Sequence, residues 1–106
     1  MENLADKTLK FGLSAPILDS LRQVFSQFSD IDRVLIYGSR ARGNFHPHSD
    51  IDLAVLAPAM TPSEFSRLWM ALDDLPILFR LDVSLHHDVA DPQLKHIMLA
   101  DGITLY

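Results

Sequence analysis

Val34-Leu35-Ile36-Tyr37-Gly38-Ser39-Arg40-Ala41-Arg42-Gly43, a short loop, and then Ser49-Asp50-Ile51-Asp52-Leu53-Ala54-Val55 form the stretch on which the reading of this chain turns. The first four residues are a continuous apolar run rich in strand formers that stops at Gly38, as suits a strand covered on both faces. From Asp50 the pattern alternates: Ile51, Leu53 and Val55 fall on one side, and Asp50, Asp52 and Ala54 on the other, the period of a half-buried strand. Pro58 stops it. Asp50 and Asp52 thus project from one face, about 7 Å apart along the backbone. Unpaired like charges at that spacing ask for a cation between them, and hard oxygen ligands favour Mg²⁺ or Mn²⁺ over zinc.

Gly38 supplies a different part. With no side chain it lets the chain turn sharply off the strand and lets a phosphate approach the backbone. Ser39 and the following N–H groups can then donate at the start of a short helix. Arg40 and Arg42 stand where a triphosphate needs positive charge, and guanidinium groups match phosphate oxygens in a bidentate way. Gly43 permits a further turn. Asp82 repeats the logic of the first two aspartates on a separate strand.

Outward from this stretch the chain reads as helix, strand, short polar segment, strand, helix, strand, helix, strand. Ile17, Leu18, Leu21, Val24, Phe25 and Phe28 recur at helical spacing and predict a helix over about 15 to 28, with Ser14 as cap and Pro16 in the first turn. Thr61-Pro62-Ser63-Glu64 combines an N-cap, a first-turn proline and a capping-box glutamate, ahead of a face made of Phe65, Leu68, Trp69 and Leu72. A third strand is expected at about 79 to 86, where Leu81, Val83 and Leu85 alternate with Asp82, Ser84 and His86. Asp91-Pro92 opens a last helix, Gly102 fits its stop, and Ile103 to Tyr106 can add an edge strand. The expectation is α/β or α+β, with a single mixed sheet of about four strands and helices packed on it. Residues 1–14 are expected to be an N-terminal segment and 15–106 one domain.

The composition agrees. A chain of 106 residues with 48% hydrophobic and 22% charged residues is an ordinary globular domain. The net charge of -5 argues against a broad phosphate-backbone footprint and hence against extended nucleic acid as a partner. There is no cysteine, which removes disulfides, thiolate zinc sites and cysteine nucleophiles together. The first residues lack a basic region and the apolar runs are too short for a signal peptide or a membrane span, so a cytoplasmic protein is expected.

Gly-Ser-Arg-Ala-Arg-Gly at 38–43 followed by Ser-Asp-Ile-Asp-Leu-Ala-Val at 49–55 resembles the signature of the DNA polymerase beta-like nucleotidyltransferases. The form it resembles is the minimal single-domain (MNT) one, the antitoxin of HEPN/MNT type included. The resemblance extends to Leu-Asp-Val-Ser-Leu at 81–85, in the place of the third-carboxylate strand. It implies a palm-like nucleotidyltransferase fold. It also implies that Gly38 and Ser39, with Arg40 and Arg42, bind nucleotide phosphates, and that Asp50, Asp52 and Asp82 are catalytic and hold two Mg²⁺ ions, or Mn²⁺. The implied reaction is attack of an acceptor hydroxyl on the α-phosphorus of a nucleoside triphosphate, with ATP and transfer of AMP as the expected case. Larger relatives carry an acceptor-binding domain, and none is expected in these 106 residues. The expected partner is therefore an all-helical protein such as a HEPN toxin, in a hetero-oligomer and modified on a tyrosine. Transfer to a small molecule or an RNA end, and a non-catalytic module that neutralises a toxin by contact, are the alternatives.

Other residues read as structural. His46-Pro47-His48 and His86-His87-Asp88 lack further ligands at zinc spacing and are expected in surface loops, although His86 shares a face with Asp82. Trp69 and the phenylalanines fall on helical stripes and are expected in the core. Tyr37 is expected to pack there too, and Asp73-Asp74 to be a solvated helix end.

Overall fold

Strands β1 (Arg33–Tyr37) and β2 (Ile51–Leu56) pair antiparallel, with Val34 opposite Val55, Ile36 opposite Leu53 and Tyr37 opposite Asp52. A computed structural model of the chain describes residues 10–106, so part of the expected N-terminal segment, residues 1–9, lies outside the described residues. β3 (Leu81–Leu85) runs parallel to β2, with Asp82 beside Asp52 and Ser84 beside Ala54. β4 (Ile103–Thr104) pairs antiparallel with the other side of β1. The four-stranded sheet has the order β3-β2-β1-β4. It is the mixed sheet the alternation predicts.

Period two then decides which face each residue serves. Val34, Ile36, Ile51, Leu53 and Val55 are fully buried on one face, where α1 (Ala15–Phe25) and α3 (Pro62–Asp73) cover them through Leu18, Leu21, Phe25, Leu68 and Leu72. On the opposite face Leu35, Tyr37 and Ala54 pack with Met98 of α4 (Pro92–Asp101). α4 covers only part of that face, and the carboxylates stand beyond it. A four-residue helix α2 (Ser39–Arg42) leaves the end of β1.

Several boundaries differ from the sequence reading for local reasons. α1 ends at Phe25 rather than 28, because the Ser26 hydroxyl donates back to Gln23 O at 2.7 Å and the next two amides make tighter bonds to Val24 O and Phe25 O. Phe28 stays against the core without being helical. Ser14 occupies the N-cap position but its side chain makes no capping bond. Asp50 precedes β2 rather than starting it, and β3 begins at Leu81 because Phe79 turns away to lie against Arg40. Gly102 ends α4 with φ -65, not left-handed. Its need for glycine is one of space, since a Cβ there would run into Met98 O and the Leu35 side chain.

Trp69 departs further from expectation. It is 48% exposed, because it sits at the flank of the α3 stripe that points past β3, where the sheet has ended. Phe25 is in the core and Phe28, Phe65 and Phe79 pack against it, while Phe45 and Phe79 also lie against Arg40.

The capping box of α3 is complete, with Glu64 N donating to Thr61 Oγ1 and Thr61 N donating to Glu64 Oε1, both at 3.1 Å. Thr61→Ala is expected to cost about 1 kcal/mol. Thermal unfolding followed by circular dichroism should report this as a drop in Tm of about 4–8 °C.

Candidate functional site

The site is built by register. Tyr37, Asp52 and Asp82 lie abreast on three neighbouring strands and therefore point from the same face. Adjacent strands are about 5 Å apart, so the carboxylates of Asp52 and Asp82 are unavoidable neighbours. Asp50 stands just before β2 and adds a third negative charge. Burial, followed by the charges of Asp82 and then Asp50, pushes the Asp52 carboxyl above its ordinary range, while Arg42 and Arg40 act in the opposite sense. The Tyr37 phenol, buried beneath them, is pushed up to about 12, first by burial and then by the charges of Asp82 and Asp52.

Gly38 closes this face from the β1 side. Its φ of 75 and ψ of -153 lie in a region that only glycine enters freely, and a Cβ there would collide with Asp52 Oδ2. Both the backbone angle and the carboxylate thus require glycine. Arg42 N donates to Gly38 O at 3.0 Å and Gly43 N to Ser39 O at 2.9 Å, which folds Ser39–Arg42 into its single turn next to the carboxylates. Gly43, with φ 89, ends it.

The two arginines have separate places. Arg42 is half-exposed and meets Asp101 Oδ2 of α4 at 3.4 Å. An ion pair this open is worth about 1 kcal/mol or less, so its guanidinium is readily redirected. Arg40 does not reach the carboxylate face as a phosphate ligand. It is 2% exposed, and its N–H groups are spent on backbone carbonyls. The expectation that Arg40 binds nucleotide is corrected on that ground. Asp101 as the partner of Arg42, and Phe79 against Arg40, had no signal in the sequence, because these contacts join segments far apart in the chain.

His46 and His48 are exposed in the loop before Asp50, as expected, and Ser49 Oγ accepts from His46 N at 2.8 Å to close that loop. His86 lies just past the end of β3, where His86–Asp88 form a 3-10 turn, and the strand's length, about 10 Å from Asp82 to Leu85, removes it from the carboxylates. Its Nε2 is buried without a hydrogen-bond partner among the described residues. A cleft of about 510 Å³ opens between α3 and the free edge of β3, walled by Trp69, Leu72, Phe79, Arg80, Asp82 and Val83. Asp82 therefore borders both the carboxylate face and this cleft.

The donor set can be judged against divalent ions. Among the described residues no three Asp, Glu or His side chains already converge to hold an ion. Mg²⁺ asks for no such cage, since it takes one or two carboxylates and completes its shell with water and substrate phosphates. Hard oxygen donors, with an Asp52 carboxyl raised first by burial and then by the charges of Asp82 and Asp50, fit such an ion.

The family model described as "Polymerase beta, Nucleotidyltransferase" matches residues 19–106. The chain belongs to this nucleotidyltransferase family. A solved structure described as a minimal nucleotidyltransferase is 28% identical, with a TM-score of 0.66 over 90% of this chain and 95% of that one. A nucleotidyltransferase structure from Sulfolobus solfataricus, 21% identical with a TM-score of 0.53 over 83% of this chain and 74% of that one, shares the fold. No curated protein matches. This nucleotidyltransferase domain has no helix among its described residues that is long and apolar enough to cross a membrane.

Two measurements probe the electrostatics. Because the folded chain holds the Asp52 proton more tightly than the unfolded one, stability falls as pH rises from the ordinary carboxylate range through the raised folded value. Ionised Asp52 is therefore a liability at neutral pH. Asp52→Asn is expected to raise Tm by a few degrees in buffer free of divalent ions. Adding Mg²⁺ should raise Tm for the unaltered protein and not for the variant.

The second measurement is on Tyr37, whose absorbance change on ionisation should fall near pH 12 and move down in Asp52→Asn and Asp82→Asn. Between pH 10 and about 12 the folded chain keeps a phenolic proton that the unfolded chain releases, so the contribution of Tyr37 to stability should be lost across that window.

Proposed function

We propose that this nucleotidyltransferase transfers a nucleoside monophosphate, AMP from ATP, to an acceptor hydroxyl on a partner protein, in a metal-dependent reaction. The observation that carries the proposal is the packing of Gly38 against the carboxylate of Asp52, with Asp82 alongside in register. A backbone stripped of its Cβ next to paired carboxylates suits a polyphosphate and its counter-ions.

Asp50, Asp52 and Asp82 would hold two Mg²⁺ ions, or Mn²⁺. Bound ions supply Lewis-acid stabilisation of the charge on the reacting phosphate and favour the ionised acceptor hydroxyl. The chain's own residues do the rest. Gly38 and Ser39 present backbone N–H groups and a hydroxyl to the phosphates. Arg42 exchanges its weak pair with Asp101 for a phosphate oxygen. The acceptor oxygen forms its bond to the α-phosphorus, the bond from that phosphorus to the bridging oxygen breaks, and pyrophosphate leaves. The hydroxyl proton passes to the carboxylate of Asp82, which faces the cleft along β3 by which an acceptor can approach. Catalysis by such a site is positioning and charge stabilisation.

The acceptor class follows from resemblance and from economy. The family pattern points to an all-helical partner, a HEPN-type toxin, with this chain as its antitoxin in a hetero-oligomer. The cleft at β3 is open enough to receive a protein side chain.

The test is incubation with Mg²⁺, ATP and the candidate partner, read by intact mass and by pyrophosphate release. The expected result is a partner carrying AMP, with the signal lost in the Asp50→Asn, Asp52→Asn double variant. Full neutralisation of the toxin by that variant would sink the enzymatic reading and favour neutralisation by contact. Label appearing on a small molecule or an RNA end instead would overturn the protein acceptor.

A further inference from the structure

Arg40 is a buried cation beside an open site, and its surroundings are unusual in where they come from. Its Nη1 donates to Phe11 O at 2.8 Å. Its Nε and Nη2 both donate to Ser49 O, at 3.2 and 2.9 Å, and Nη2 reaches Pro47 O at 3.4 Å. The guanidinium carbon lies 5.1 Å from the ring centre of Phe45 and 4.8 Å from that of Phe79, within cation–π range. One side chain of α2 thus gathers a turn near the N-terminus, the loop that delivers Asp50, and the segment that leads into β3 and Asp82.

The turn is shaped to this guanidinium. Lys10 and Leu13 close it with bonds of 3.0 and 2.8 Å between their backbones. Phe11 takes φ 58 and Gly12 φ 72, and a non-glycine residue held in that region costs of order 1 kcal/mol. The strain sets Phe11 O against Arg40. A Cβ on Gly12 would overlap the Phe45 ring and crowd Arg40 Nη1, so the turn closes over the cation without spare room. Burying a charge is costly unless its donors are satisfied, and only a planar fork of N–H groups can meet carbonyls arriving from several directions. Lysine carries the same charge without the fork.

We propose that Arg40 is a positioning residue, and that the Phe11–Gly12 turn belongs to the same device. Together they set where Asp50 and Asp82 stand while touching neither nucleotide nor acceptor. Ser49, whose carbonyl takes two of the guanidinium's bonds, is the residue before Asp50. Phe79 is three residues before Asp82. Arg40 itself is two residues after Gly38. The clamp therefore connects all three approaches to the site from behind.

The inference rests on the nucleotidyltransferase reading for one of its two readouts. Arg40→Lys, Gly12→Ala and the double variant are compared by calorimetric titration with Mg²⁺-ATP, well below their melting temperatures. Each single change is expected to weaken binding by about tenfold or more, as loss of a supporting residue behind metal ligands does. The double variant should be no worse than the poorer single one, because both break one clamp. Wild-type affinity in folded variants, or losses that multiply in the double variant, would overturn the proposal.

The second readout needs no ligand: in amide NMR spectra, Gly12→Ala should displace the signals of Ser49, Asp50 and Asp82. If those signals stay in place, the proposal fails. If the unaltered protein does not bind Mg²⁺-ATP, the functional reading fails and the NMR comparison still decides the clamp. Should Arg40→Lys and Gly12→Ala not fold, Phe79→Leu, which removes one aromatic face and leaves the turn intact, is expected to displace the same signals, and their constancy would overturn the link.

Discussion

Asp52 and Asp82 stand side by side on a half-covered sheet face, and the repulsion between their carboxylates is the constraint around which the molecule is organised. A hydrogen-bonded ladder between β2 and β3 allows the two side chains no retreat. What holds that ladder is the other face of the same strands, where Ile51, Leu53 and Val55 are wholly buried against α1 and α3. Each strand thus carries opposite obligations at alternate positions. The apolar positions stabilise the sheet, and the positions between them set part of that stability against a concentration of like charge.

Behind this lies a division of labour between two arginines separated by one residue. At about 100° per residue, positions two apart on a helical turn face nearly opposite ways. In α2 this turns Arg40 inward, under the site, and leaves Arg42 outward, above it. One guanidinium fixes the backbone around the carboxylates. The other keeps only a loose, half-exposed ion pair with Asp101. A helix of a single turn is enough to separate these tasks.

Most of this fold could be read from local patterns: the alternation in 51–55, the capping box at Thr61 and the Asp91-Pro92 start each have a physical cause that lies within a few residues. The pairing of Asp52 with Asp82 was equally legible, because period two puts both opposite the apolar stripe, whereas Asp50 lies just outside β2 and its place follows from the loop. What escaped were features whose cause is distant in sequence. Trp69 looked like core because a helical stripe does not reveal where the sheet beneath it ends. Arg40 looked like a phosphate ligand because its true partners, Phe11, Pro47, Ser49 and Phe79, come from separate segments. Gly12 gave no sign at all, since its role depends on rings that arrive from elsewhere.

The parallel pairing of β2 with β3 also orders events in time. Asp52 and Gly38 come together as soon as the antiparallel β1–β2 pair closes, whereas Asp82 arrives only after α3 has crossed back over the sheet. Parallel pairs joined by such crossovers form late, because loop-closure entropy must be met before their contacts reward it. A chain caught before that step has its glycine turn and its first two aspartates but no facing carboxylate. The complete charge cluster is thus a signature of the finished tertiary structure, and no fragment lacking β3 can assemble it.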